Sequence, residues 1–222
     1  MRAAGAAALA LLALGSGAAE AACTAPAKRL DYAVRWAGDV IGAQSLQFAQ
    51  DGDALVVRVT SEVRARLLFM TLIDLKHESE ERWVQGRLRS FKGRTVDNGD
   101  VTEVRIEAEG DALKVVRNGE ATRVAADAVV GSLWCAETLA KPGAATFIDT
   151  VKGRTGAVTL SPAREETIAA GGSDIRARRV EITGVQEREV WHDERGIGVR
   201  ARFPAKLGPK VSVELKAIEA GG

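Results

Sequence analysis

The chain has 222 residues, with 31 Lys and Arg set against 30 Asp and Glu for a formal net charge of +1. So even a balance, spread along the chain with no basic block interleaved by aromatics, argues against a nucleic-acid or anionic-membrane binder held by charge. At roughly 100–200 residues per domain, the length suits one domain with one sizeable core.

Residues 1–21 read as a secretory signal peptide: a basic start at Arg2, an apolar run through Leu9, Leu11, Leu12 and Leu14, and the small-residue end Ala19-Glu20-Ala21. A membrane anchor would need roughly 20 apolar residues, and Gly15, Ser16 and Gly17 interrupt the run. Glu20 stands where a lipoprotein would carry a large apolar residue before Cys23. The expected mature chain, 22–222, is a single β-rich domain exported to the periplasm without a transmembrane segment.

From residue 30 onward the apolar period is close to two, which predicts strands. Over 30–36, Leu30, Tyr32, Val34 and Trp36 share one face and Asp31 and Arg35 the other. Further alternating runs occur at Leu46 and Phe48, at Leu55, Val57 and Val59, and over 101–106, 113–115, 178–182, 189–191, 199–203 and 211–215. Asp51-Gly52, Asn98-Gly99 and Asn118-Gly119 tolerate the positive φ of tight hairpins. Helix is predicted only over 67–75 and over 126–140, where Asp127 would cap the start and Lys141-Pro142-Gly143 would stop it. About ten antiparallel strands exceed a comfortable flat sheet, which predicts a strongly curved sheet, an open or closed barrel or a folded-over sandwich, with one or two short helices.

The stretch 76–83 breaks the rule, since Lys76, Glu78, Glu80 and Arg82 alternate with His77, Ser79, Glu81 and Trp83, and neither face is apolar before Trp83. Such a strand lies at an edge, where charge blocks unwanted pairing, or lines a wet concavity. The edge reading is preferred. The second would place Glu81 and Trp83 in a ligand groove.

The two cysteines, Cys23 and Cys135, are an even number in a chain read as exported, and such cysteines pair. A nucleophilic Cys135 would need a base, and no spacing brings His77 or His192 to it. A zinc site would need about four ligands; His77-Glu78 and His192-Asp193 offer neighbours that a strand sends to opposite faces. Both histidines are read as solvated. Glu80-Glu81 and Glu165-Glu166 have no acid set against a base, so they receive no catalytic role. No catalytic residue, cofactor or metal is assigned, and the protein is read as non-enzymatic.

The segments Tyr32-Ala-Val-Arg-Trp-Ala-Gly38-Asp-Val-Ile41-Gly42, Glu81-Arg-Trp83-Val-Gln-Gly86-Arg-Leu88-Arg-Ser90, Thr95-Val-Asp97-Asn98-Gly99, Ser132-Leu-Trp134 and Trp191-His-Asp-Glu-Arg-Gly196 resemble domain-of-unknown-function family 6134. They also look like the neighbouring family 3108. The resemblance runs from about Leu30 to Leu215 and rests on glycines, tryptophans and turns. It implies an exported β-sheet protein curved like the lipoprotein-carrier half-barrels, and it carries no activity. His192 stands where the family pattern expects an aromatic such as tyrosine.

Two functions follow from different classes. One is a binding module whose curled sheet encloses an apolar or lipid-like ligand, with Trp36, Trp83, Trp134 and Trp191 on its walls and Glu81 beside them. The other is a cell-envelope structural or assembly protein that docks a partner protein, its tryptophans being plain core.

Overall fold

The computed structural model describes residues 23–67, 69–170, 172–205 and 208–221; the leader expected over 1–21 lies outside them. The first half is an antiparallel meander of β1 (Arg29–Trp36), β2 (Asp39–Asp51), β3 (Ala54–Leu67), β4 (Met70–Val84), β5 (Arg87–Asp97), β6 (Asp100–Glu109), β7 (Ala112–Arg117) and β8 (Glu120–Ala125). The second half holds β9 (Val129–Val130), β10 (Gly143–Ile148), β11 (Thr155–Leu160), β12 (Arg164–Ala170), β13 (Ser173–Gly184), β14 (Arg188–Asp193), β15 (Gly198–Phe203) and β16 (Val211–Glu219).

The halves join where β16 pairs β1, giving one sheet in the order β8-β7-β6-β5-β4-β3-β2-β1-β16-β15-β14-β13-β11-β10-β9. β12 pairs the first part of β13, leaving its last three residues to β11. Among the described strands only the two-residue β9 runs parallel to its neighbour, β10. The sheet is not closed, and β8 and β9 are the ends of its path.

Hairpin chemistry sets the meander. Asn98-Gly99 and Asn118-Gly119 have φ of 53° and 94°, and 48° and 92°, the two consecutive positive values that a type I′ turn requires. Each asparagine also ties its turn to the preceding hairpin, with Asn98 Oδ1 accepting from Asp74 N at 3.0 Å and Asn118 Oδ1 from Glu103 N at 2.7 Å. Alternation then decides the faces. In β6, Val104 and Ile106 are buried while Glu103, Arg105 and Glu107 are exposed.

Curling brings distant strands together. Thr95 of β5 donates to the Val151 carbonyl in the β10–β11 turn at 2.8 Å, and Gly153 of that turn sits so close to Val104 and Arg117 that a Cβ there would lie 2.8 to 3.0 Å from their side chains. One core cluster therefore contains Phe91, Ile106 and Val115 from one half and Ile148, Ile168 and Trp191 from the other.

Several expectations change. Among the described residues the strands number sixteen rather than about ten, because six escaped the alternation test. β8 has no buried residue to provide contrast, β9 is two residues long, and β10 and β11 are rich in Gly, Ala and Thr. β12 buries only Ile168 and Ala170, and in β5 a basic residue follows nearly every apolar one.

Residues 67–75 are not helical. They carry the chain from β3 into β4, with Leu67 paired to Met70 across a tight turn. The run Leu67-Leu68-Phe69-Met70-Thr71-Leu72-Ile73 is apolar at every position but one and so has no period of either kind. Residues 126–140 contain β9 and a single 3₁₀ turn, Ala136–Leu139, in place of a helix. Among the described residues there is no α-helix, and no helix is long and apolar enough to cross a membrane.

Candidate functional site: a cleft within the curled sheet

β4 is hydrogen-bonded to β3 on one side and β5 on the other, so its doubly polar stretch is not an edge. It crosses the concave interior instead. Its inward row is His77, Ser79, Glu81 and Trp83; its outward row, Lys76, Glu78, Glu80 and Arg82, faces solvent, where Glu80 pairs with Arg58 at 2.9 Å. His77 and Ser79 open onto a cleft of about 870 Å³. Its apolar walls are Val34 of β1, Leu46 of β2, Val59 and Val63 of β3, Leu72, Ile73 and Leu75 of β4, and Phe203, Val211 and Val213 of β15 and β16. The segments 131–134 and 149–154 complete it.

Deeper than His77, one carboxylate organises the aromatics. Glu81 is fully buried, and its Oε2 accepts from the indoles of Trp83 at 2.8 Å and Trp134 at 2.9 Å. The two rings meet edge to face at 5.3 Å, and Phe48 meets Trp134 in the same way at 5.4 Å. Burial pushes the Glu81 carboxyl pKa up, against the opposing donation of Trp134, Ser132 and Trp83. Oε1 has no hydrogen-bond partner, while Oε2 accepts from both indoles. Glu81 thus aims the Trp134 ring at the cleft from behind.

His77 is buried rather than solvated, and burial holds its pKa down to about 4 despite the nearby Asp149 carboxylate. Its Nδ1 lies 2.8 Å from Thr95 Oγ1, whose single proton goes to the Val151 carbonyl. Nδ1 must therefore be the donor, which leaves the Nε2 lone pair for the Ser79 hydroxyl at 3.2 Å. Asp149 shapes the turn beside it, accepting from the backbone N–H of Val151 and Lys152 at 3.0 Å each and from Gln186 Nε2 at 3.1 Å. The other histidine is also buried: His192 Nε2 donates to the Leu133 carbonyl at 3.0 Å, and burial holds it near 4. That bond fixes Leu133, a cleft residue at φ 56°.

A model of the family described as domain of unknown function DUF6134 matches residues 32–216. The chain belongs to this family. No curated protein matches it. Among solved structures, this DUF6134 chain is similar to a β-barrel-like protein of domain of unknown function DUF1849 from Brucella abortus, at 10% identity and a TM-score of 0.60, over 87% of this chain and 97% of that one. A DUF1089 family protein from Pseudomonas aeruginosa gives a TM-score of 0.44 at 13% identity, over 78% of this chain and 95% of the other.

In this DUF6134 chain the expected site residues separate by depth. Trp36 and Trp134 line the cleft, with Trp36 half-buried and its indole donating to the Pro209 carbonyl at 3.1 Å. Trp83 and Glu81 lie behind Trp134, in the core, and do not reach the cleft. Trp191 is core as well, its indole bonded to Glu166. Cys23 and Cys135 form the expected disulfide. The carboxylate pairs are split by the strand period: Glu165 is exposed where Glu166 meets Trp191, and Glu80 is outside where Glu81 is buried. Sequence reasoning passed over Arg188, which lines the cleft. Parity was the available signal, because Arg188 shares a face with Val190 and His192, both buried.

Proposed function

We propose that this chain is a non-enzymatic binding module of the periplasm that holds an apolar or lipid-like ligand in the cleft of its curled sheet. The cleft carries the reading. Its volume of about 870 Å³ falls within the roughly 300–1,000 Å³ of small-molecule sites, and its walls combine aliphatic and aromatic side chains with converging polar and charged ones. Polar residues inside β4 fit it too, since a strand buried between two others puts His77 and Ser79 inward where they meet a partly wet cavity. The disulfide and the leader-like residues 1–21 support export.

Native mass spectrometry of protein purified from its own periplasm tests the reading, and a retained apolar ligand is the expected result. Titration of long-chain fatty acids or phospholipids should shift the tryptophan fluorescence, because Trp36 and Trp134 border the cleft. Trp36→Ala should weaken binding by about tenfold while lowering stability by only about 1 to 2 kcal/mol, since the ring is half-buried on a wall. Unchanged affinity in that variant, or fluorescence indifferent to every lipid, would sink the binding reading.

One observation favours the second reading, a structural or assembly protein acting through protein contacts. Phe69 at the β3–β4 turn is fully exposed, an apolar tip that a partner protein would cover. Loss of partner capture in Phe69→Ser, with lipid binding absent from both forms, is the result that this reading predicts.

A further inference from the structure

Arg188 is the first residue of β14 and half-buried at the rim of the cleft. Its guanidinium carbon sits 5.3 Å from the Phe147 ring centre and 5.6 Å from that of Phe203, so two aromatic faces hold it in place. Among the described residues its side chain makes no hydrogen bond and no ion pair, and its Nε is shielded from solvent without a partner. A cation withdrawn from water is costly unless an anion answers it. Burial accordingly disfavours its charged form, and Asp149 is the acid whose field opposes this. Yet Asp149 makes no ion pair with it, and its oxygens are occupied by the backbone of Val151 and Lys152 and by Gln186. Lys152 and Arg154 line the same end of the cleft and likewise make no ion pair among the described residues. The acids lining the cleft besides Asp149 are Asp97 and the exposed Glu187.

Along β1–β3 and β16 the lining is largely aliphatic, with Val34, Leu46, Val59, Val63 and Val213 set around the polar Gln44 and Ser61. A planar fork of donors at one end and an alkyl-lined trough leading from it match one ligand shape: a compact anionic head, carboxylate or phosphate, on an apolar tail.

We infer that the ligand is an amphipathic anion whose head group is bound by Arg188, with Lys152 and Arg154 adding field, and whose tail lies along the β1–β3 wall. This rests on the binding reading of the cleft and adds to it the sign and position of the head group.

The test uses the full mature chain and four probes: decanoate, decanol, decyltrimethylammonium and acetate, with calorimetric titration as the readout. Decanoate should bind about tenfold or more tighter than decanol, as expected for hydrogen bonds to a charged group. Decyltrimethylammonium should bind most weakly, and acetate should not compete where decanoate saturates. Arg188→Met should bind decanoate no better than decanol, whereas Arg188→Lys should keep part of the preference; thermal melting of both variants shows that they are folded. Equal affinity of the wild type for decanoate and decanol overturns the anionic head while leaving the apolar cleft standing. Competition by acetate alone at similar concentration overturns the tail. If none of the probes binds, the cleft reading falls and this inference with it.

Discussion

Removing the Cys23–Cys135 bridge, by reduction or by Cys23→Ser, should lower the free energy of unfolding by about 4 to 5 kcal/mol. The two cysteines are 112 residues apart in the chain, and for a closed loop of this size the chain-entropy model gives that magnitude, because the uncrosslinked unfolded chain gains the freedom that the bridge denied it. The structural consequence adds to the entropic one. Cys23 opens the described chain ahead of β1, and Cys135 follows Trp134 in the segment that floors the cleft; both sulfurs are buried in the main core. The bridge therefore anchors the start of the domain and holds the segment that presents Leu133 and Trp134. Urea unfolding with and without reductant measures the effect, and the m-value should rise on reduction as the unfolded state exposes more surface. An unchanged midpoint, or two thiols labelled in unreduced protein, would refute it.

The disulfide and the sheet were legible in the sequence for different reasons. Pairing followed from parity and compartment alone, whereas strands were legible only where polar and apolar residues contrast, as in β1 and β6. β8 to β11 have little contrast to read, and what holds them is pairing with a neighbouring strand, β8 with β7, β9 with β10 and β11 with β10 and β13. The same dependence on a partner strand explains β4. Its two polar faces were evident, but whether they meant an edge or a concavity depended on β5, which the alternation test missed. Likewise, the period of two places Trp83 inward without saying how deep. It is the Glu81 carboxylate, accepting from both indoles, that sets Trp83 behind and Trp134 in front. His77 and His192 looked like surface residues because each stands beside a charged neighbour; yet Lys76 and Glu78 alternate to the outside and leave His77 within, whereas Asp193 is itself buried beside His192 and paired with Arg195.

Acid should unfold this protein well before its carboxylates are exhausted, and the two histidines should account for most of the loss. Both are held near pKa 4 in the folded state, in each case first by burial, against 6.5 when unfolded. The unfolded chain therefore takes up protons between pH 6.5 and about 4 that the folded chain refuses, so stability is fully present above 6.5 and is lost as pH falls through that window. A shift of this size corresponds to about 3 kcal/mol per histidine by pH 4. Together they amount to much of the roughly 5–15 kcal/mol that typically separates folded from unfolded domains. Glu81 acts in the opposite direction. Its raised pKa favours the folded state as pH falls toward 4.5 and disfavours it as pH rises, so the wild-type curve reports the difference between the two effects. Variants separate them: His77→Asn keeps a donor for Thr95 at the Nδ1 position, and His192→Gln keeps one for the Leu133 carbonyl at the Nε2 position. Each should cost some stability at pH 7 but flatten the fall between pH 6.5 and 4 by about 3 kcal/mol. Imidazole proton shifts followed by NMR provide the direct check, because titration of either ring near 6.5 in the folded protein would remove the basis of the prediction. Since His192 fixes Leu133 and His77 faces Ser79 at the cleft, their protonation would strike the binding site and the fold together.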